Sequence, residues 1–317
     1  MKRVIQTIEE YDRFLISTHV NPDPDALCSE LAMAAYLRGI GKKAVIVNEE
    51  PVPERFYFLP GIRRIRSLKP RARFPHDAVI VVDCGELGRV GRVQSVLKEE
   101  RPVINIDHHL TNTRFGDVNL VRPRASSTAE VLYELFHRTG VVLTRDQALH
   151  LYVGIMTDTG SFRYANTSAR THQIVARLLR YDLAVDALYQ KIYETISLND
   201  SKEFVRVINS FDVVLDGQVI CVNLSKEMVA RFSEAFDLRD ALFRFLRSIH
   251  GIEVVVICTE IDEHKTRINL RSAGRVNVGR LAWHFQGGGH HNASGCVVDG
   301  PLPEAREKIL KEIRKVL

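Results

Sequence analysis

No CxxC pair occurs in the 317 residues, and the five cysteines (Cys28, Cys84, Cys221, Cys258 and Cys296) are odd in number and scattered. Their placement signals neither a thiolate zinc site nor a disulfide framework, and it makes a reducing cytoplasm the expected compartment. Long hydrophobic runs are also missing: nothing approaches the roughly 18 apolar residues that span a bilayer. The N-terminal stretch MKRVIQTIEEYDRFLI is broken by charge throughout, so neither an export signal nor a membrane partner is expected. The interleaved aromatic and basic pattern of single-strand nucleic-acid binders is absent as well. What is present describes a globular chain. Apolar residues make up 45% and charged residues 26%, over a length that suggests about two domains with real cores. The formal net charge of +5 rests mostly on arginine, whose planar fork suits an anionic ligand without demanding one.

Within this unremarkable background, several apolar runs end in metal-binding chemistry. The run Ile104 to Ile106 ends in Asp107, His108 and His109, an oxygen donor and two imidazoles where a buried strand ordinarily closes in Gly, Asn or Ser. The run AVIVV, Ala78 to Val82, ends in Asp83. The strand RFLIST, Arg13 to Thr18, is followed by His19 and a proline-stiffened loop carrying Asp23 and Asp25. In an extended segment residues two apart point the same way, so both carboxylates can address one point; Asp25 taken alone reads as the cap of the helix expected over Ala26 to Arg38. Asp158 follows another apolar helix, in the segment GIMTDTGSFRY, with Arg163 five residues on as a phosphate contact. The arginines Arg63, Arg64, Arg66, Arg71 and Arg73 read as a solvated face.

Strands alternating with helical stretches predict an α/β fold: an open, mostly parallel sheet flanked by helices, with ligands at the carboxyl ends of the strands. The second half changes to a smaller mixed α/β domain. We place the first domain at 1–196, a linker at 197–207 and the second domain at 208–317. In that second half Arg267, Asn269 and Arg271 share one face of a hairpin strand. Gly287, Gly288 and Gly289 let backbone N–H groups approach an anion, and His290 and His291 can donate to phosphate. A triple glycine by itself is an ordinary flexible turn, so the neighbouring arginines give it weight.

Taken in order, HVNPDPDA, the Asp83 strand end, NIDHH, TDTGSFRY and GGGHHNASG resemble the DHH phosphoesterase superfamily with its first-type DHH-associated C-terminal domain, over nearly the whole chain. Length and the lack of extra domains make it most similar to the bacterial nanoRNA-degrading and pAp-phosphatase (NrnA-type) branch, rather than to longer single-strand exonucleases. The resemblance implies two divalent metal ions, manganese before magnesium. It assigns His19 and Asp23 to one ion, Asp25, His108 and Asp158 to the other, and Asp83 to a bridge. His109 would face the scissile phosphate and Asp107 would steady a histidine from behind, so that His109, Asp83 and Asp107 form the catalytic group. Substrate would be held by His109, Arg163, Arg271, Gly287, Gly288, Gly289, His290 and His291, with the active site in the interdomain cleft. The implied partners are short RNA or nucleotides such as dinucleotides and pAp, with a homodimer left open.

The chain departs from the family pattern at Gln286, where a glycine is frequent, at Ser294 in place of a common alanine, and at Cys84 and Glu86 after Asp83. None of these is a proposed ligand. Other readings ranked below this one are a phosphodiesterase for cyclic or linear dinucleotides, a manganese pyrophosphatase, and a non-catalytic nucleotide- or RNA-binding module. The last would be expected to lack a ligand, and all six candidates are present.

Overall fold

Short apolar runs build the first sheet of this computed structural model, which describes residues 1–97, 101–233 and 236–317. Its strands are β1 (Arg13–Ser17), β2 (Lys43–Asn48), β3 (Ile65–Ser67), β4 (Ala78–Val82), β5 (Val103–Asp107) and β6 (Val118–Val121). They lie in the order β3-β2-β1-β4-β5-β6, and every neighbouring pair is parallel. All five residues of β4 are buried, which is why its run is continuously apolar rather than alternating. The helices of this part are α1 (Lys2–Glu10), α2 (Pro24–Gly39), α3 (Thr128–Arg138), α4 (Arg145–Asp158), α5 (Ala169–Leu178) and α6 (Val185–Tyr193). The chain winds outward from β1 through β2 to β3, then returns to start β4 on the other side of β1. The strand order therefore reverses between β1 and β4, the position at which open α/β sheets bind ligands.

The chain divides into two compact units, Met1–Ile192 and Tyr193–Leu317. The second contains α7 (Leu198–Ile208), β7 (Asp212–Val214), β8 (Val219–Leu224), α8 (Lys226–Ala230), α9 (Leu238–Leu246), β9 (Val254–Asp262), β10 (Lys265–Ser272), α10 (Val278–His284), β11 (Gly288–His290), β12 (Ala293–Asp299) and α11 (Leu302–Arg314). The strand order is β11-β12-β10-β9-β8-β7, with β8 and β9 parallel and the other pairs antiparallel. One face, with Ile268, Leu270, Cys296 and Val298, packs against Leu281 of α10 and Ile309 of α11. The opposite face, with Val222, Val255 and Ile257, packs against Leu242 and Leu246 of α9.

The stretch 197–207, read from sequence as a connection, forms most of α7, whose Ser197 cap accepts from the Asp200 N–H. The glycine run is also more regular than a turn, because Gly288 to His290 pair with β12 as an edge strand. The start of α2 requires a correction. The helix begins at Pro24, and Asp23 is its cap, accepting from Ala26 N–H at 3.0 Å, so Asp25 lies in the first turn. A proline at the first helical position costs no hydrogen bond, and its fixed φ is already helical, which moves the start forward of Ala26. The two carboxylates thus approach one another through a helix terminus, not along an extended segment.

Candidate metal centre

Each candidate ligand is held by a backbone feature at the carboxyl end of the first sheet. His19 lies two residues beyond β1; its Nδ1–H donates to the Val20 carbonyl at 2.8 Å, which leaves Nε2 facing Asp83 Oδ2 at 3.7 Å. Asp83 directly follows β4, is 2% exposed and holds a left-handed φ of 54°. Strain of this kind is concentrated where a side chain must be aimed. His108 and His109 follow β5: His108 Nε2 stands 3.4 Å from Asp158 Oδ2 and 3.7 Å from Asp83 Oδ1. Asp158 is the last residue of α4.

The N-terminus of α3 organises two of these carboxylates together. Thr128 donates its N–H to Asp25 Oδ2 at 2.7 Å and its hydroxyl to Asp83 Oδ1 at 2.7 Å, while Ala129 N–H reaches Asp25 Oδ1 at 3.1 Å. Orphan amides at a helix start favour negative charge, so α3 anchors Asp25 in a position from which water is almost excluded. On the facing helix the residue has to be Gly154, since a Cβ there would fall 2.5 Å from Asp25 Oδ1. Behind the histidines, Asp107 is fully buried, accepts from His109 Nδ1–H at 2.7 Å and accepts from Asn112 Nδ2 at 2.6 Å.

Three overlapping groups of donors result, each with its ligand atoms within 4.8 Å of one another: His19, Asp23 and Asp83; Asp25, His108 and Asp158; and Asp83, His108 and His109. Their electrostatics describe a deficit of positive charge. Burial, followed by repulsion from Asp83, Asp158 and Asp23, raises the Asp25 pKa well above the carboxylate range. Burial likewise pushes Asp158 up to about 7, with Asp83 and Asp23 adding to it against the opposing charge of His108. Burial alone would also raise Asp83, but hydrogen bonding to His19 and the charges of His108 and His109 bring it below the ordinary value. His109 rises to about 9, first through its hydrogen bond to Asp107. Hard carboxylate oxygens with imidazole nitrogens, and no thiolate among them, form a donor set for manganese or magnesium. The crowded carboxylates fit cations of this kind.

All six candidate ligands, together with Asp107 and His109, therefore gather within the first unit. Arg163 lies in the turn after α4, where its Nε–H donates to the Gly160 carbonyl at 2.8 Å. Arg271 and Gly287 to His291 belong to the second unit. There the cross-strand register Arg271, Ala293, His290 puts Arg271 and His290 in one row on one face of the sheet. The Arg271 guanidinium stacks over Phe243 at 4.6 Å. Sequence reasoning missed Thr128, Asn112, Gly154 and Arg89. Arg89 accepts the Val20 N–H through its carbonyl at 2.8 Å, and its exposed guanidinium lies close enough to oppose the charge on His109. Only Thr128 carried a local signal, as part of a Ser/Thr helix start; Gly154 and Arg89 are defined by neighbours far away in the chain, and Asn112 by a contact with Asp107 that no motif marks.

This centre, on a parallel sheet followed by a smaller mixed domain, is that of a metal-dependent phosphoesterase of the DHH class. Residues 13–155 match the model of the DHH family N-terminal domain and residues 229–317 that of the DHHA1 domain, and the chain belongs to this family. Over 305 residues it is 32% identical to the bifunctional oligoribonuclease and PAP phosphatase NrnA of Thermus thermophilus, a match covering 95% of this chain and 89% of that protein. A Bacillus subtilis protein of the same name is 28% identical over 303 residues, covering 93% and 92%. Among solved structures, an exopolyphosphatase-related protein from Bacteroides fragilis is 28% identical and superposes with a TM-score of 0.91, covering 99% of this chain and 96% of that one. No helix among the described residues is long and apolar enough to cross a membrane.

Proposed function

We propose that the chain hydrolyses short oligoribonucleotides, dinucleotides foremost, to mononucleotides, and removes the 3′-phosphate of pAp to give AMP. The observation that carries this reading is the convergence of seven Asp and His donors on three overlapping groups, in a chain so similar to two proteins named for these activities. His19 and Asp23 would hold one divalent ion, Asp25, His108 and Asp158 a second, and Asp83 would bridge them, with manganese as the metal. Ions held there would supply Lewis-acid activation of water and counter-charge for the leaving oxygen.

The chain's own groups prepare the rest of the site. Asp107 fixes the His109 ring by its Nδ1–H, favours its protonated form, and leaves Nε2–H to donate to a phosphate oxygen. Arg163 adds a guanidinium beside the ligand helix. Arg271 and His290, in one row beside the glycine strand, are suited to a terminal phosphate. Five free, buried thiols agree with a reducing cytoplasm. The test is a ladder of RNA from two nucleotides upward, with pAp, cyclic dinucleotides and pyrophosphate alongside, in manganese and after chelation. Hydrolysis should be lost on chelation, and kcat/KM should fall from two to five nucleotides towards long RNA. Equal rates on long strands would indicate a processive exonuclease, and a dominant pyrophosphatase activity would overturn the reading.

A further inference from the structure

The one tryptophan of the chain lies outside every core. Trp283, on the last turn of α10, is 77% exposed, whereas Leu281 and Ala282 beside it are buried in the sheet. An open aromatic face is the kind of group on which a nucleobase stacks. Its direction follows from Gly279, four residues earlier. A Cβ at Gly279 would fall 2.9 Å from the His290 carbonyl oxygen, so this side of α10 abuts β11. Residues four apart share a helix face, and a helical side chain leans back over the turn before it. The indole therefore stands within about one turn, ~5.4 Å, of the point where α10 meets the glycine-rich strand.

Two bonds fix this relation: Val278 N–H donates to the His291 carbonyl at 2.9 Å, and Ser294 Oγ–H donates to the Val278 carbonyl at 2.6 Å. The neighbourhood is open and basic. A Cβ at Gly288 would meet nothing within 4 Å, and Arg280, His290 and His291 are all exposed. The surrounding side chains offer charge and hydrogen bonds, and Trp283 offers a flat π face.

We infer that Trp283 is a stacking platform for a nucleobase of the substrate, at the outer edge of the glycine-rich strand. The inference rests on the proposed reading that short RNA is the substrate, and adds a base subsite to it. Stacking tolerates every base but grows with ring size, so purines should gain more than pyrimidines.

The single indole reports on its own occupancy. Intrinsic fluorescence of the full chain is titrated with AMP, UMP and ribose 5-phosphate in the presence of chelator, so that hydrolysis plays no part. AMP should quench at the lowest concentration, UMP at a higher one, and ribose 5-phosphate should leave the emission unchanged. In manganese, Trp283→Ala should raise KM for purine dinucleotides by about tenfold, the effect of losing one stacked base, with kcat within about twofold. Trp283→Phe should recover most of the loss, which a merely structural role would not require. Equal quenching by ribose 5-phosphate and AMP, or an unchanged KM in Trp283→Ala, would overturn the subsite. A wild-type protein that hydrolyses no dinucleotide would instead overturn the proposed function, and base-dependent quenching in that protein would leave the stacking site standing.

Discussion

Asp83 combines two costs, a left-handed backbone and a buried charge, and its neighbours offset both. Asn tolerates the same backbone region, so Asp83→Asn removes the bridging charge without adding strain. We expect this variant to lose tightly bound manganese and at least about a hundredfold in kcat/KM, while circular dichroism and the unfolding midpoint in chelator stay unchanged or improve as carboxylate repulsion is relieved. A near wild-type rate would refute the bridge. Gln286 gives the opposite case. It holds a φ of 57° for which a non-glycine residue is penalised by about 1–2 kcal/mol. Gln286→Gly should raise stability by roughly 0.5–1 kcal/mol once glycine's entropy is subtracted, read by urea denaturation. The sequence displayed the unusual residue in each place; the backbone angle that gives it meaning depends on the fold.

At the scale of elements, α4 joins the catalytic end of the molecule to its core. Its His150 is buried, with Nε2 3.0 Å from the Pro60 carbonyl and Nδ1 unpaired, and burial pushes its pKa down to about 4. The unfolded chain, titrating near 6.5, then takes up the proton first. The stability that neutral His150 contributes is complete above about pH 6.5 and is lost as pH falls towards 4, where it levels off. His150→Gln should flatten the urea-derived stability curve across this interval by roughly 2–3 kcal/mol relative to wild type; parallel curves would exclude the assignment. Legibility at this scale followed burial. The parallel strands β1, β4 and β5 stood out because apolar runs stop at a donor, and α2 and α4 because their apolar residues dominate. The short edge strands β3 and β6 were not read, since three or four residues carry little periodicity, and the nine-residue amphipathic α1 was missed as well. The candidate ligands were visible through motif order, while Thr128, Asn112 and Gly154 act through partners 5 to 129 residues away, and of these only Thr128 left a trace, as part of a Ser/Thr helix start.

For the whole molecule, all six proposed ligands fall within Met1–Ile192. Metal should therefore stabilise that unit alone. In scanning calorimetry, manganese at about a hundred times its Kd should raise the transition of the first unit by the equivalent of about 2.7 kcal/mol and leave that of the second within error. An equal shift of both would mean that the second unit also contributes ligands. The spread of ligands also sets an order of events during synthesis. His19 emerges at the start of the first sheet and Asp158 only after both α3 and the rest of α4, so a growing chain displays paired carboxylates long before it can surround an ion. Because the strand order reverses between β1 and β4, even β1 acquires its inner neighbour late. A ribosome paused before residue 158 would hold a chain with an incomplete donor set, and metal capture would mark the completion of the first unit.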